Sequence, residues 1–342
     1  MLPHSKPLVS ILIPAFNAQE WIADTVRSAL AQTWPRKEII IVDDGSRDQT
    51  LSVAQQFASK DVLVIGKANE GAAATRNQAF SLCQGDYIQW LDADDLLSPD
   101  KIERQMRAVR EEDERRTLLS SAWAHFAYRP NRATFSPTPL WEDLSPVEWL
   151  LRKLEQNLLM QTATWLTSRE LAEAAGPWDT RLLSDDDGEY FCRVLLASKG
   201  VRFVSGAKVY YRDISSGRLS FIGTSDRKMD AMLLSMKLHI GYLRSLEDSK
   251  RVQQACLRYV QNWSNSFHPE RRDILLQLQA LAREVGGQVE EHPALRWKYA
   301  WMSPIVGRRA AWRAQLVLPK LKARMLCHWD KLMGDLERRN GI

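Results

Sequence analysis

The sequence predicts an α/β fold: a mostly parallel sheet flanked by helices, followed by a helical extension. Three observations predict it. Near-continuous apolar runs rich in β-branched residues recur at Val9–Pro14, Glu38–Asp44 and Asp61–Ile65, the pattern of strands buried on both faces. Between them, Trp21, Ile22, Val26, Ala29 and Leu30, and then Leu51, Val53, Ala54 and Phe57, recur at helical spacing. Each run also stops abruptly in small or polar residues. Strand and helix therefore alternate, as in βαβ units.

The strand ends carry the chemistry. Ile13 is followed by Pro14-Ala15-Phe16-Asn17, and Val42 by Asp43-Asp44-Gly45-Ser46. A further run, Gly85 to Leu91, ends in Asp92-Ala93-Asp94-Asp95, three carboxylates in four positions. In a parallel sheet these ends share one rim, where ligands bind in open α/β folds. Carboxylates there are hard oxygen ligands that suit Mg²⁺ or Mn²⁺, and such ions suit a diphosphate. Asp43 or Asp44 can accept from a base N–H, while Asp92 and Asp94 can take ribose and metal. The plainer alternative is a solvated loop before a helix capped by Ser98 and begun by Pro99. Asn69 to Asn77 reads as a Gly and Ala turn entering a helix. Its small residues admit a bulky ligand. Arg76 either supplies a cation near a diphosphate or caps an acidic surface.

In order and spacing, Val9 to Thr50, Asn69 to Asn77 and Gly85 to Asp95 resemble a family 2 glycosyltransferase with the GT-A fold. The resemblance covers roughly the first two-thirds of the chain. It implies a nucleotide-sugar donor, usually a uridine diphosphate sugar, and a divalent metal, Mn²⁺ or Mg²⁺, at Asp94 with Asp92. It also implies inversion at the anomeric carbon. The donor would lie against Pro14, Ala15, Phe16, Asn17, Asp43, Asp44, Gly71, Arg76, Asn77, Asp92 and Ala93. Inversion needs a general base to take the acceptor's proton. The family usually shows Glu-Asp followed by an Arg on the same helix. Here Asp186-Asp187 takes that place, with Arg193 downstream, and Asp187 falls at the base position. Asp186 replaces the usual Glu and Asp185 adds a third acid, so the choice stays open by one residue. Clustered acids raise one pKa towards neutrality, and they equally suit the positive end of a helix.

Asp185 and Trp178, in the turn Gly176-Pro177-Trp178-Asp179, fall on the expected acceptor side. Trp178 can stack on a sugar face or belong to the core. Val201 to Arg212 alternates as a strand, and Tyr210-Tyr211-Arg212 resembles the family's strand end facing the diphosphate. The His that often follows in the family is absent, and Arg212 or Arg218 can serve as the phosphate cation. Asp213 to Arg218 reads as a lid or a plain surface loop.

The boundaries follow composition: a catalytic unit over 1–225, a helical cap over 226–295 and a basic tail over 296–342. Met229, Met232, Leu233, Met236 and Ile240 form one helical stripe, and Ile274, Leu275, Leu278 and Leu281 another, closed by Gly286-Gly287. The tail holds 11 Lys and Arg against 3 Asp and Glu, in a chain of net charge +5. Its Trp297, Trp301 and Trp312 interleave with Arg, which suits an anionic membrane interface or, alternatively, aromatics packed on the helical cap with the Arg side chains solvated. Four scattered cysteines give neither a disulfide framework nor a zinc pattern. With no signal pattern and no long apolar run, a cytoplasmic, peripheral protein is expected. The expected partners are the nucleotide sugar, a glycan or lipid-linked acceptor and the membrane surface, without nucleic acid. A nucleotidyltransferase would carry a Gly-rich loop where Pro14 to Asn17 stand. A dehydrogenase would need Gly-x-Gly-x-x-Gly after a strand. A non-catalytic sugar-nucleotide scaffold is opposed by the intact Asp92, Asp94 and Asp187.

Overall fold

The computed structural model describes residues 6–109, 115–213, 225–264, 267, 271–289, 299, 301–307, 311, 314, 318, 325, 327–334 and 336. Strands β1 (Val9–Ala15), β2 (Lys37–Asp43), β3 (Val62–Gly66) and β4 (Tyr87–Trp90) are parallel, and β7 (Thr167–Ser168) closes the edge antiparallel to β4. The order across the sheet is β3-β2-β1-β4-β7. Helices α1 (Ile22–Leu30), α2 (Thr50–Gln55) and α3 (Ala72–Leu82) make the crossovers. The period of two along β1 sorts its side chains. Val9, Ile11 and Ile13 join α1 in one core, whereas Leu12 joins α3 residues in the other. Burial on both faces explains why these strands read as unbroken apolar runs.

Of a second sheet the sequence shows only the strand read at Val201 to Arg212. That sheet runs β5 (Leu96–Leu97), β8 (Gly200–Arg212), β6 (Thr117–Phe126). A bulge shifts the β6–β8 register between Ser121 and Ala122. Helices α5 (Pro146–Gln156), α6 (Arg169–Ala175) and α7 (Asp186–Ala197) share one core with Trp90 and Val201 of the two sheets. The helix after the Asp cluster, α4 (Lys101–Ala108), starts later than the Ser98-Pro99 reading places it. Asp100 holds the N-cap position, and the Ser98 carbonyl accepts from the Lys101 amide at 3.0 Å. Lys101 itself is fully buried, its ammonium donating to Gln89 Oε1.

The C-terminal helices α8 (Asp226–Leu246), α9 (Lys250–Ser264) and α10 (Arg272–Glu284) share a core with the sheet. Met229, Met232, Leu233, Met236 and Ile240 are buried in the cluster that contains Trp90 and Tyr190. Ile274, Leu278 and Leu281 are buried as the stripe requires. Gly286, at φ +82°, turns the chain after α10, and the Gly287 amide donates to the Ala282 carbonyl. Among the described residues, no helix is long and apolar enough to cross a membrane. Trp297, Trp312 and Arg218 lie outside the described residues.

Candidate active site

The carboxyl ends of β1, β2 and β4 meet on one rim, because Ala15 pairs with Asp43 and Leu12 with Trp90 in register. At the end of β1, Pro14 and Ala15 pass into exposed Phe16 and Asn17. Asn17 adopts φ +49°, a left-handed conformation that Asn tolerates. Its amide donates to Ser46 Oγ and its Oδ1 accepts from the Arg47 amide, both at 2.9 Å. The first two strand ends are thus tied into one ledge.

The structure separates the two acids that the sequence leaves equivalent. Asp44 accepts from the Glu70 and Gly71 amides at 2.9 Å, and from Lys67 Nζ and Asn69 Nδ2 at 3.0 Å. These hydrogen bonds lower its pKa against the opposing effect of burial. Its acceptors are spent on the 67–71 loop, which corrects its reading as a base-binding group. Asp43 accepts the Ser46 amide on Oδ2, but its buried Oδ1 has no partner. A buried carboxylate oxygen left unpaired is costly, and a ligand N–H is the natural partner. Gly71 needs φ +93° to present its amide to Asp44, although space alone would admit a Cβ.

Arg76 does not cap an open surface. It is buried, donating from Nη2 to Asp92 Oδ1 at 2.9 Å and from Nη1 to Asp186 Oδ2 at 2.6 Å. Its guanidinium lies over the Trp178 ring at 4.4 Å. Burial pushes the Asp186 carboxyl up to about 6, with Arg76 pulling against it. One side chain thereby joins the end of β4 to the start of α7.

Trp178 is core. It is 2% exposed, stacks on Tyr190 at 4.1 Å and meets Trp90 edge-on at 5.1 Å. No ring face remains for a sugar, which corrects its acceptor assignment. Asn77, read as a donor residue, clamps the Trp178 backbone instead: Nδ2 donates to the carbonyl at 3.0 Å and Oδ1 accepts from the amide at 2.8 Å. Asp185, read as an acceptor residue, turns toward α8. It occupies the N-cap position of α7 in a left-handed conformation, φ +57°, and its side chain accepts from Ser235 Oγ of α8 at 2.5 Å. Arg193 pairs with Glu189 through two bonds of 2.7 and 2.8 Å, and Tyr242 of α8 donates to the same carboxylate. The helical extension therefore holds the start of α7 in place. A Cβ on Gly188 would sit 2.2 Å from Asp185 Oδ1. Gly188→Ala is expected to cost about 1–3 kcal/mol of stability, the usual cost of overpacking; an unchanged denaturant midpoint would refute it.

Asp187 is half-buried and accepts from Thr162 Oγ1 at 3.0 Å. Asp92 and Asp94 are also half-buried, whereas Ala93 is buried, its carbonyl accepting from Thr25 Oγ1. Asp95 lies inside, accepting from the Arg212 amide and from Gln161, and burial beside Asp94 and Asp92 raises its pKa. Arg212 is likewise engaged within the protein. Its Nε donates to the Asp94 carbonyl at 2.7 Å, and its guanidinium lies 4.3 Å from Trp21 and 4.4 Å from Phe126. It holds the backbone of the Asp92–Asp95 loop through the Asp94 carbonyl. Thr162 has no counterpart in the sequence reading, since an isolated polar residue carries no periodic signal, whereas Asp95 belongs there to the acidic cluster and Asn69 to the turn into α3.

No cluster of three or more metal-ligating side chains occurs among the described residues. Mg²⁺ and Mn²⁺ bind through one or two carboxylates and take remaining oxygens from phosphates and water, so the half-buried Asp92 and Asp94 are the candidate ligands.

Residues 10–130 match the family model described as glycosyl transferase family 2. Over 109 residues the chain is 44% identical to a putative teichuronic acid biosynthesis glycosyltransferase, TuaG, of Bacillus subtilis, covering 31% of this chain and 43% of that one. The match spans less than half the length of such curated relatives. Among solved structures, S. aureus TarS 1–349 superimposes with a TM-score of 0.63 at 16% identity, over 90% of this chain and 91% of that one. A mannosyltransferase of Pyrobaculum calidifontis, solved with GDP-Man and Mn²⁺, gives 0.55 at 15% identity over 98% and 88%. With the parallel sheet and its acidic rim, the chain has the GT-A fold, and its residues 10–130 carry the glycosyl transferase family 2 domain.

Proposed function

We propose that the chain transfers a sugar from a nucleotide-diphosphate donor, a UDP-sugar, to a hydroxyl of a glycan or glycolipid, with inversion, in cell-surface polysaccharide synthesis. The observation that carries this is the Asp92–Arg76–Asp186 bridge. It sets the strand rim and the first turn of α7 one guanidinium apart, so donor-side and base-side carboxylates face a common space. Asp43 Oδ1 receives the base N–H, and the ledge from Pro14 to Asn17 and Gly71 lies under the nucleotide. Asp92 and Asp94 would hold Mg²⁺ or Mn²⁺, which stabilises charge on the leaving diphosphate. Asp187 takes the acceptor's proton. Asp186 is the less suitable base because it is buried and paired with Arg76.

The related teichuronic acid glycosyltransferase and the TarS complexes with UDP and UDP-GlcNAc support the donor class by analogy. Catalysis belongs to residues 1–225, the helices of 226–295 brace it, and 296–342 bind the cytoplasmic face of an anionic membrane.

The test is calorimetry with UDP and Mn²⁺. Asp94→Ala should abolish the metal-dependent part of UDP binding while the protein stays folded. Unchanged metal-dependent affinity would overturn the assignment.

A further inference from the structure

The tail returns to the catalytic domain. Within the helix at 327–334, Asp330 accepts from the Tyr128 amide at 2.8 Å and pairs with Arg129 Nε at 2.6 Å. One turn on, a Cβ on Gly334 would lie 3.5 Å from the Tyr128 and Arg129 side chains. Lys331 lies over the Tyr128 ring and lines a cavity of about 240 Å³ with Glu20, Trp21, Asp24 and Arg212. This latch sits at the end of β6, beside the Arg212 that holds the Asp94 carbonyl.

The opposite side of the same helix is apolar and open. Met325, Trp329, Leu332 and Leu336 are 74, 61, 48 and 50% exposed. At 3.6 residues per turn they fall within an arc of about 60°, away from Asp330 and Gly334. Trp301, Ile305 and Val306 are exposed as well. An aligned apolar stripe in a segment with 11 basic and 3 acidic residues has the composition of a helix lying in an anionic lipid interface.

We propose that this stripe is the membrane-contacting face of the enzyme, and that the Asp330–Arg129 latch fixes it beside the donor rim. The inference rests on the reading of 296–342 as a membrane-binding segment and makes it specific. The latch would hold the cleft at one orientation to the bilayer, within reach of a lipid-linked hydroxyl. A free tail would give attachment without orientation.

Flotation of the full chain with phosphatidylcholine–phosphatidylglycerol vesicles, and with phosphatidylcholine alone, tests it. The wild type should float only with the anionic lipid, and less at high salt. Trp329→Ser with Leu332→Ser should lower partitioning at least about tenfold, from the lost burial of two large side chains. Leu276→Ser, at a 65% exposed position on α10, should not. If the double variant floats like the wild type, the stripe is not the membrane face, although the broader reading of the tail survives. If the wild type does not float, both fall. Sedimentation that reveals a dimer lost in the double variant would assign the stripe to a second copy and overturn the proposal. A thermal shift with UDP and Mn²⁺, measured on each variant, reports folding and the donor site independently.

Discussion

Asp187→Asn is expected to lower turnover by at least about a hundredfold, the scale on which a general base contributes, while UDP affinity stays near that of the wild type. The substitution keeps the volume and the hydrogen bond from Thr162, which the amide oxygen can still accept. It removes only the capacity to take a proton. Donor contacts on the β1, β2 and β4 ends are untouched, so the loss should fall on kcat. Asp186→Asn should behave differently, because it weakens the pair with Arg76 and thereby the folded state. Steady-state kinetics beside calorimetry separates the two. If Asp186→Asn abolishes turnover in a fully folded protein while Asp187→Asn does not, the base is the neighbouring residue. If neither matters, inversion by an α7 carboxylate is wrong.

The sequence announces what is local and periodic. β1, β2 and β3 were legible because burial on both faces demands unbroken apolar runs, and α8 because its apolar positions recur every three or four residues. The rim was legible because polar residues stop those runs at a common level. The division of labour within the rim was not. Asp43 and Asp44 are adjacent and chemically identical, and only the path of the 67–71 loop gives four donors to one and leaves an oxygen of the other unpaired. The sequence leaves Trp178 open between a sugar platform and the core, and only the packing of Tyr190 and Trp90 around it decides for the core. Asp185 looks like a third active-site acid, but its partner comes from α8, 50 residues later. Such facts depend on pairings across the fold, for which a single sequence has no periodic signature.

Arg76 has the same non-local character, with partners 16 and 110 residues away, and its loss should have the largest effect on stability. Arg76→Met is expected to destabilise the protein by about 3–5 kcal/mol, the usual result of removing one partner from a buried ion pair. Two carboxylates would then face each other without a counter-charge. Arg76→Lys should recover little, since a single ammonium cannot span both acids as the planar fork does. The deficit should depend on pH in a defined sense. In the native protein the Asp186 carboxyl lies at about 6 against an ordinary 3.8, so the folded state binds its proton more tightly than the unfolded chain. That contribution to stability is present below about 4 and is lost as pH rises through 6. Without Arg76 the folded carboxyl moves higher still, so the variant should lose more stability relative to wild type at pH 8 than at pH 5. Adding Asp186→Asn to Arg76→Met should restore part of the loss and flatten that pH dependence. Urea melts of the two singles and the double, at both pH values, complete the cycle. Additive effects would show that Arg76 and Asp186 do not share the pair, and would remove the bridge between the donor rim and the base helix.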